Sequence, residues 1–91
     1  MLKPRYTAQF KKDYKTIIKR GYPAALLEET IRLLCAEAPL PAKNRDHALS
    51  GSFAGFRECH IQPDWLLIYC VEKEIVTLTL TRTGTHSDLL E

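Results

Sequence analysis

The apolar residues of this chain change their period near residue 42. Before that point they recur at helical spacing. Phe10, Tyr14, Ile17 and Ile18 stand at i, i+4, i+7 and i+8, one face of a helix. Leu27, Ile31 and Leu34 mark a second stripe, widened by Leu26 and Leu33. Beyond residue 42 the pattern alternates: Val76, Leu78 and Leu80 are interleaved with Thr77, Thr79 and Thr81, as in a half-exposed antiparallel strand. A chain whose helices precede its strands folds as α+β.

Local signals place the boundaries. "LKPRY" reads as a short edge strand, where the missing N–H of Pro4 does no harm. Thr7 suits a helix N-cap and Gly21 a helix stop. Pro23 suits the first turn of a second helix, and Pro39 and Pro41 end it. The connection is so short that the helices form an antiparallel hairpin. "AKNRDHALSGSFAG" (42–55) reads as a loop. Strands are expected at roughly 54–61, 65–72 and 75–82, joined at "EKE" (72–74), with "GTHSDLLE" as a closing helical turn. The expectation is a single domain over residues 1–91, a helical hairpin packed on one face of an antiparallel sheet of about four strands.

Composition narrows the class. An apolar fraction of 45% is enough for a core. No apolar run approaches the roughly 18 residues of a membrane span. The start, "MLKPRY", lacks the apolar stretch of a signal peptide, so the expected location is cytoplasmic. Cys35, Cys59 and Cys70 are odd in number, have no C-x-x-C spacing and lie in apolar contexts, which reads as reduced, buried thiols. Charge is uneven. Residues 1–20 hold seven basic residues and one acid, Asp13, for +6; the remainder holds six basic and ten acidic residues, for −4. Lys11, Lys12, Lys15 and Lys19 put most of this charge on the first helix. Such a face is either simply solvated or tracks phosphates.

Several polar residues do not fit the core pattern. "ECHIQPDWLLIY" (58–69) reverses at Pro63 and places His60, Asp64 and the single tryptophan, Trp65, around the break. In a meander the end of the last strand returns to that edge. Arg82 therefore approaches the same place, with His86 just beyond and His47 in the preceding loop. Each has an ordinary structural use taken alone, as turn former, strand-end ion pair or core aromatic. Their convergence points to chemistry. A zinc site lacks any H-x-x-x-H or C-x-x-C pair, and no serine sits on a G-x-S-x-G elbow. Metal-free RNA cleavage fits the residue types better. Histidine serves as base or acid near neutral pH, an arginine fork holds phosphate oxygens, and a tryptophan offers a face to an unpaired base.

"RDHALSG", "FRECHIQPDWLLIY" and "LTRTGTHSDLL" follow one another in the order and spacing of YafQ-like toxins, members of the RelE/ParE superfamily of toxin–antitoxin modules. "LPAKNRDHALSG" resembles their loop, and the basic helical hairpin resembles theirs in character. The resemblance implies a RelE-like fold and a ribosome-dependent endoribonuclease. Such an enzyme cuts mRNA in the A site through 2′-hydroxyl attack, with no cofactor and no metal. It implies a cognate antitoxin as partner, with operator DNA bound only through the antitoxin complex, and no membrane.

Its functional residues map onto His47, His60, Asp64, Trp65, Arg82 and His86. In that reading His86 is the leading proton-transfer group, and His60 with Asp64 forms a second acid–base pair or orients the RNA. Arg82 steadies the phosphorane, His47 contacts phosphate or shares proton transfer, and Trp65 packs under the site or stacks on a base. Glu58 shares a strand face with His60 and is a further candidate acid. The lysines of the first helix would meet ribosomal RNA. Two positions depart from the family pattern. Leu90 stands where a codon-holding phenylalanine is common, and Ala48 where proline is common. The alternatives are a ParE-like gyrase inhibitor and a non-enzymatic binding module.

Overall fold

The structure, a computed structural model, describes residues 1–90. Its elements are β1 (Lys3–Tyr6), α1 (Ala8–Lys19), α2 (Ala24–Cys35), β2 (His47–Ala48), β3 (Arg57–Gln62), β4 (Trp65–Glu72), β5 (Thr77–Gly84) and α3 (His86–Leu90). Both long helices pack on one face of the sheet, as the period change requires.

Each helix starts and stops on identifiable chemistry. The Thr7 hydroxyl accepts the Phe10 N–H at 2.9 Å, capping α1, and donates to the Thr81 carbonyl at 2.9 Å, which ties the cap to β5. At the other end Gly21 takes φ +90. The Gly21 N–H donates to Ile18 O and the Tyr22 N–H to Ile17 O, a Schellman termination. The same pair of bonds closes α2 at Glu37, which carries φ +56 without being glycine. Pro39 thus lies beyond the stop rather than making it.

The sheet has five strands in the order β1-β5-β4-β3-β2, and it is mixed. This revises the expected four antiparallel strands. β3, β4 and β5 form the expected antiparallel meander, whereas β1 joins the free edge of β5 in parallel, Lys3 opposite Thr77 and Tyr6 opposite Leu80. The Lys3 N–H donates to the Val76 carbonyl just before β5 and the Thr7 N–H to Leu80 O within it, and Pro4 falls at the alternate position, where no donor is needed. β2 is a two-residue strand inside the segment expected as loop, with His47 opposite Glu58. β5 begins at Thr77, because Val76 adopts a left-handed conformation (φ 53) at the end of the preceding turn and is exposed.

The core lies between the helices and the sheet. Phe10, Ile17, Leu27 and Leu34 pack on Cys59, Trp65, Leu67, Tyr69, Leu78 and Leu80, with Tyr14, Ile18 and Ile31 half-buried around them. Leu26, expected to widen the stripe, is exposed. The central strand β4 buries five consecutive residues, Trp65–Tyr69, so it is covered on both faces. Cys35 and Cys59 are buried and Cys70 half-buried, all as free thiols. Burial pushes the Cys59 thiol up to about 12, which keeps it unreactive. Among the described residues no helix is long and apolar enough to cross a membrane.

Candidate active site

The site lies on the sheet face opposite the helices, and strand register assembles it. Directly paired residues on neighbouring strands share a face. His47 pairs with Glu58, Glu58 with Ile68 and Ile68 with Arg82, one row across four strands. His60, Leu66 and Gly84 form the next row. Beyond that row stand Asp64, in the β3–β4 turn, and His86, at the start of α3.

A β-bulge decides where Arg82 points. Leu78 and Leu80 face the core opposite Val71 and Tyr69. Strict alternation puts Arg82 on their side. The register instead jumps between Tyr69–Leu80 and Ile68–Arg82, leaving Thr81 as the extra residue. Parity flips, Arg82 turns to the site face, and Thr83 turns inward. Bulges next to active sites re-aim side chains in this way.

The three histidines share one hydrogen-bonding feature. His86 Nδ1 is 2.5 Å from Asp64 Oδ1, His47 Nδ1 is 2.6 Å from the Arg45 carbonyl, and His60 Nδ1 is 3.2 Å from the Pro63 carbonyl. These oxygens only accept, so each Nδ1 carries the proton and each neutral ring keeps Nε2 as its lone-pair nitrogen. The His60 and His86 rings meet edge to face with centroids 5.7 Å apart. Asp64 pairs with His86, not with His60, which revises the expected acid–base pairing. The turn puts its carboxylate at the start of α3, where Oδ1 also accepts the His86 N–H at 3.0 Å. The hydrogen bond from His86 holds the Asp64 carboxyl below the usual carboxylate range. His47 Nε2 lies 3.6 Å from Glu58 Oε1, and Glu58 is buried.

Two residues that sequence reasoning missed hold the site in place. Asp13, on α1, accepts from Arg82 Nε at 2.7 Å and Nη2 at 3.2 Å. Its Oδ2 also accepts the Thr83 N–H at 3.2 Å, satisfying the edge of β5 that β1 leaves open beyond Leu80. The available signal was charge, since Asp13 is the one acid among the first 20 residues. Asp88 joins α3 to α1 through Arg20 at 2.7 Å and accepts the Thr85 N–H at 2.9 Å. Gly84 is needed beneath it, because a Cβ there would lie 2.9 Å from Asp88 Cβ.

The Arg20 guanidinium and the Thr85 N–H hold the Asp88 carboxyl down to about 2. The folded value lies below the unfolded one. The pair therefore stabilises the fold above about pH 4 and loses that contribution as pH falls toward 2. With solvent screening allowed for, about 1 kcal/mol is at stake. Asp88→Asn is expected to flatten acid destabilisation over that window in denaturant titrations at a series of pH values.

Trp65 does not display an aromatic face. It is fully buried on the core side, where its ring meets Tyr22 at 5.3 Å in a T-shape. Its Nε1 donates to Thr83 Oγ1 at 2.9 Å, and Thr83 Oγ1 donates to the Leu66 carbonyl at 2.7 Å. Direct stacking on RNA is thereby corrected to a supporting role beneath the site. Lys11, Lys12, Lys15 and Lys19 are exposed on α1. On the helical wheel Lys12 and Lys19 flank the stripe that carries Asp13 and Arg20. Lys11 and Lys15 turn toward the groove between α1 and α2. The Leu90 side chain lies outside the described residues. Among the described residues no group of three or more His, Cys, Asp or Glu is arranged to hold a metal ion.

Comparison with known proteins shows the family. Residues 2–91 match the family model for the bacterial toxin of the type II toxin–antitoxin system, YafQ. The chain is 41% identical over 85 residues to the mRNA interferase toxin YafQ of Escherichia coli K12, covering 92% of this chain and 90% of that protein. The crystal structure of the Escherichia coli DinJ–YafQ complex superposes with a TM-score of 0.91 at 38% identity, over the full length of both chains. That of a metal-bound toxin from Helicobacter pylori superposes with a TM-score of 0.93 at 43% identity, covering 98% of this chain and 99% of that one.

Proposed function

Since the chain belongs to the YafQ family of toxins of bacterial type II toxin–antitoxin systems, we propose that its histidine-lined sheet face is the active site of a ribosome-dependent mRNA interferase. The observation that carries this is a shared arrangement: three imidazoles on one open face, each with Nδ1 against an oxygen acceptor, which leaves Nε2 for proton transfer. RNA supplies its own nucleophile. One Nε2 removes the 2′-hydroxyl proton, the 2′-oxygen attacks phosphorus, and the P–O5′ bond breaks as a protonated imidazole donates to the leaving 5′-oxygen. The products are a 2′,3′-cyclic phosphate and a 5′-hydroxyl, and no metal enters the step.

His86 is the principal proton-transfer residue, because Asp64 lies behind it and stabilises the imidazolium formed when Nε2 takes up a proton. His60, one ring away, is its counterpart. Arg82 meets the charge that builds on the phosphoryl oxygens, with Asp13 holding its Nε edge. His47 and Glu58 close the far end of the row. The site is a surface rather than a pocket: His47, His86 and Asp64 keep 50%, 47% and 65% of their side-chain area exposed. A second body must therefore present the codon, and the ribosome fills that role, with the α1 lysines on ribosomal RNA backbone. The same open face suits cover by a cognate antitoxin, through which the complex would reach operator DNA, in the cytoplasm.

Purified protein is expected to cut mRNA on programmed ribosomes and leave free mRNA intact, giving 5′-hydroxyl ends that accept label from polynucleotide kinase without phosphatase. Arg82→Lys should slow that reaction about 10–100-fold, the equivalent of a charged hydrogen bond of roughly 1.5–3 kcal/mol. Growth arrest that survives in the combined His47, His60 and His86 alanine variant would instead support a gyrase-type or purely binding role.

A further inference from the structure

A cleft of about 480 Å³ opens at the edge of β3 and shares His60 with the rows that carry the proposed chemistry. β2 covers the edge of β3 only at Arg57 and Glu58, and the chain before it forms the outer wall. The floor is aliphatic, from Leu26 of α2 and Ile61 of β3, and the rim carries Lys43, Arg45, Gln62 and His60. The exposure of Leu26, unexpected for a core stripe, belongs to this cleft.

The cations on its rim are free. Arg20, Arg32, Arg57 and Arg82 each hold a carboxylate. Among the described residues Lys43 and Arg45 hold none, and Gln62 makes no side-chain hydrogen bond. Arg45 is also set in place. It adopts a left-handed conformation (φ 49, ψ 43), unfavourable for a residue with a Cβ, with its N–H donating to the Ala42 carbonyl. Both neighbours are anchored. The buried Asn44 donates from Nδ2 to the His60 carbonyl at 2.7 Å, and Asp46 is held by Arg57 and the Tyr69 hydroxyl. The Arg45 carbonyl, turned by this conformation, is the acceptor for His47 Nδ1. One strained residue thus sets a catalytic tautomer and projects an unpaired guanidinium over a cleft that shares His60 with the site.

We propose that this cleft binds the nucleotide next to the scissile phosphate, its base on the Leu26–Ile61 floor and its phosphate on Lys43 and Arg45. Gln62, with one acceptor and two donors, reads the base edge. The volume lies in the range of small-ligand sites, and free cations around an apolar floor match an unpaired nucleotide. This rests on the RNA-cleaving reading above.

The test is steady-state cleavage on programmed ribosomes with three proteins beside wild type. Lys43→Gln with Arg45→Gln is expected to raise KM about tenfold with kcat within a factor of two, and to flatten the salt dependence of kcat/KM. Arg45→Gly is expected to raise the unfolding midpoint by relieving the left-handed strain and yet to raise KM, a split that a purely structural role does not give. Gln62→Ala is expected to alter the preference among codons. Unchanged KM and salt slope in the charge variants, with a normal wild-type rate, would overturn the cleft proposal alone. Intact mRNA with wild-type protein would overturn the RNA-cleaving reading and this one with it.

Discussion

Replacing His86 with alanine is expected to slow mRNA cleavage by about 10²–10⁴-fold, the range for loss of one acid–base group. The fold should tolerate the change. His86 is half-exposed, and among the described residues its side chain hydrogen-bonds only to Asp64, itself on the surface. Asp64→Asn should cost less than His86→Ala, because it leaves the imidazole in place and removes only the charge behind it. Single-turnover cutting on programmed ribosomes measures both, with thermal unfolding as the control for structure. Full-rate cutting by a folded His86→Ala protein would remove this histidine from the mechanism.

Trp65→Ala should act through stability instead. The indole is fully buried between the sheet and Tyr22 and supplies one bond of the chain Trp65 Nε1–Thr83 Oγ1–Leu66 O. Truncation of a buried aromatic costs about 3–5 kcal/mol, a large share of what a small domain possesses. Trp65→Phe keeps most of the packing and loses the donor, at a cost nearer 1–2 kcal/mol. Chemical denaturation should therefore rank the proteins wild type, Trp65→Phe, Trp65→Ala. Cutting by the folded Trp65→Phe protein should stay close to wild type. A tryptophan that stacked on the codon would give the reverse pattern, with stability kept and binding lost.

Much of this was legible in the chain, for identifiable reasons. The helices announced themselves because Phe10, Ile17, Leu27 and Leu34 repeat at helical spacing, and their ends because Thr7 and Gly21 are suited to caps. β4 was placed to the residue, because Pro63 starts a turn and "EKE" ends the run. The two short edge strands were harder. β2 is two residues long, too short for any period to register. Nothing in "KPRY" encodes whether β1 lies parallel or antiparallel to its neighbour. The site residues gathered as the meander topology implied, but their pairing was hidden. Asp64 is closer in sequence to His60 than to His86, yet the turn hands it to α3. Arg82 reaches the site face through a bulge at Thr81 that alternation cannot foretell, and Trp65, though next to Asp64 in sequence, lies on the opposite face from the histidines.

The central claim is that the imidazoles, not a bound metal, move the protons, and it is sharpened by the metal-bound relative. The most direct measurement is wild-type cleavage on programmed ribosomes whose own magnesium is buffered, after the protein has been stripped and kept in a chelator selective for transition metals. The mechanism predicts an undiminished rate. A rate that collapses on stripping and returns with copper or zinc would contradict it.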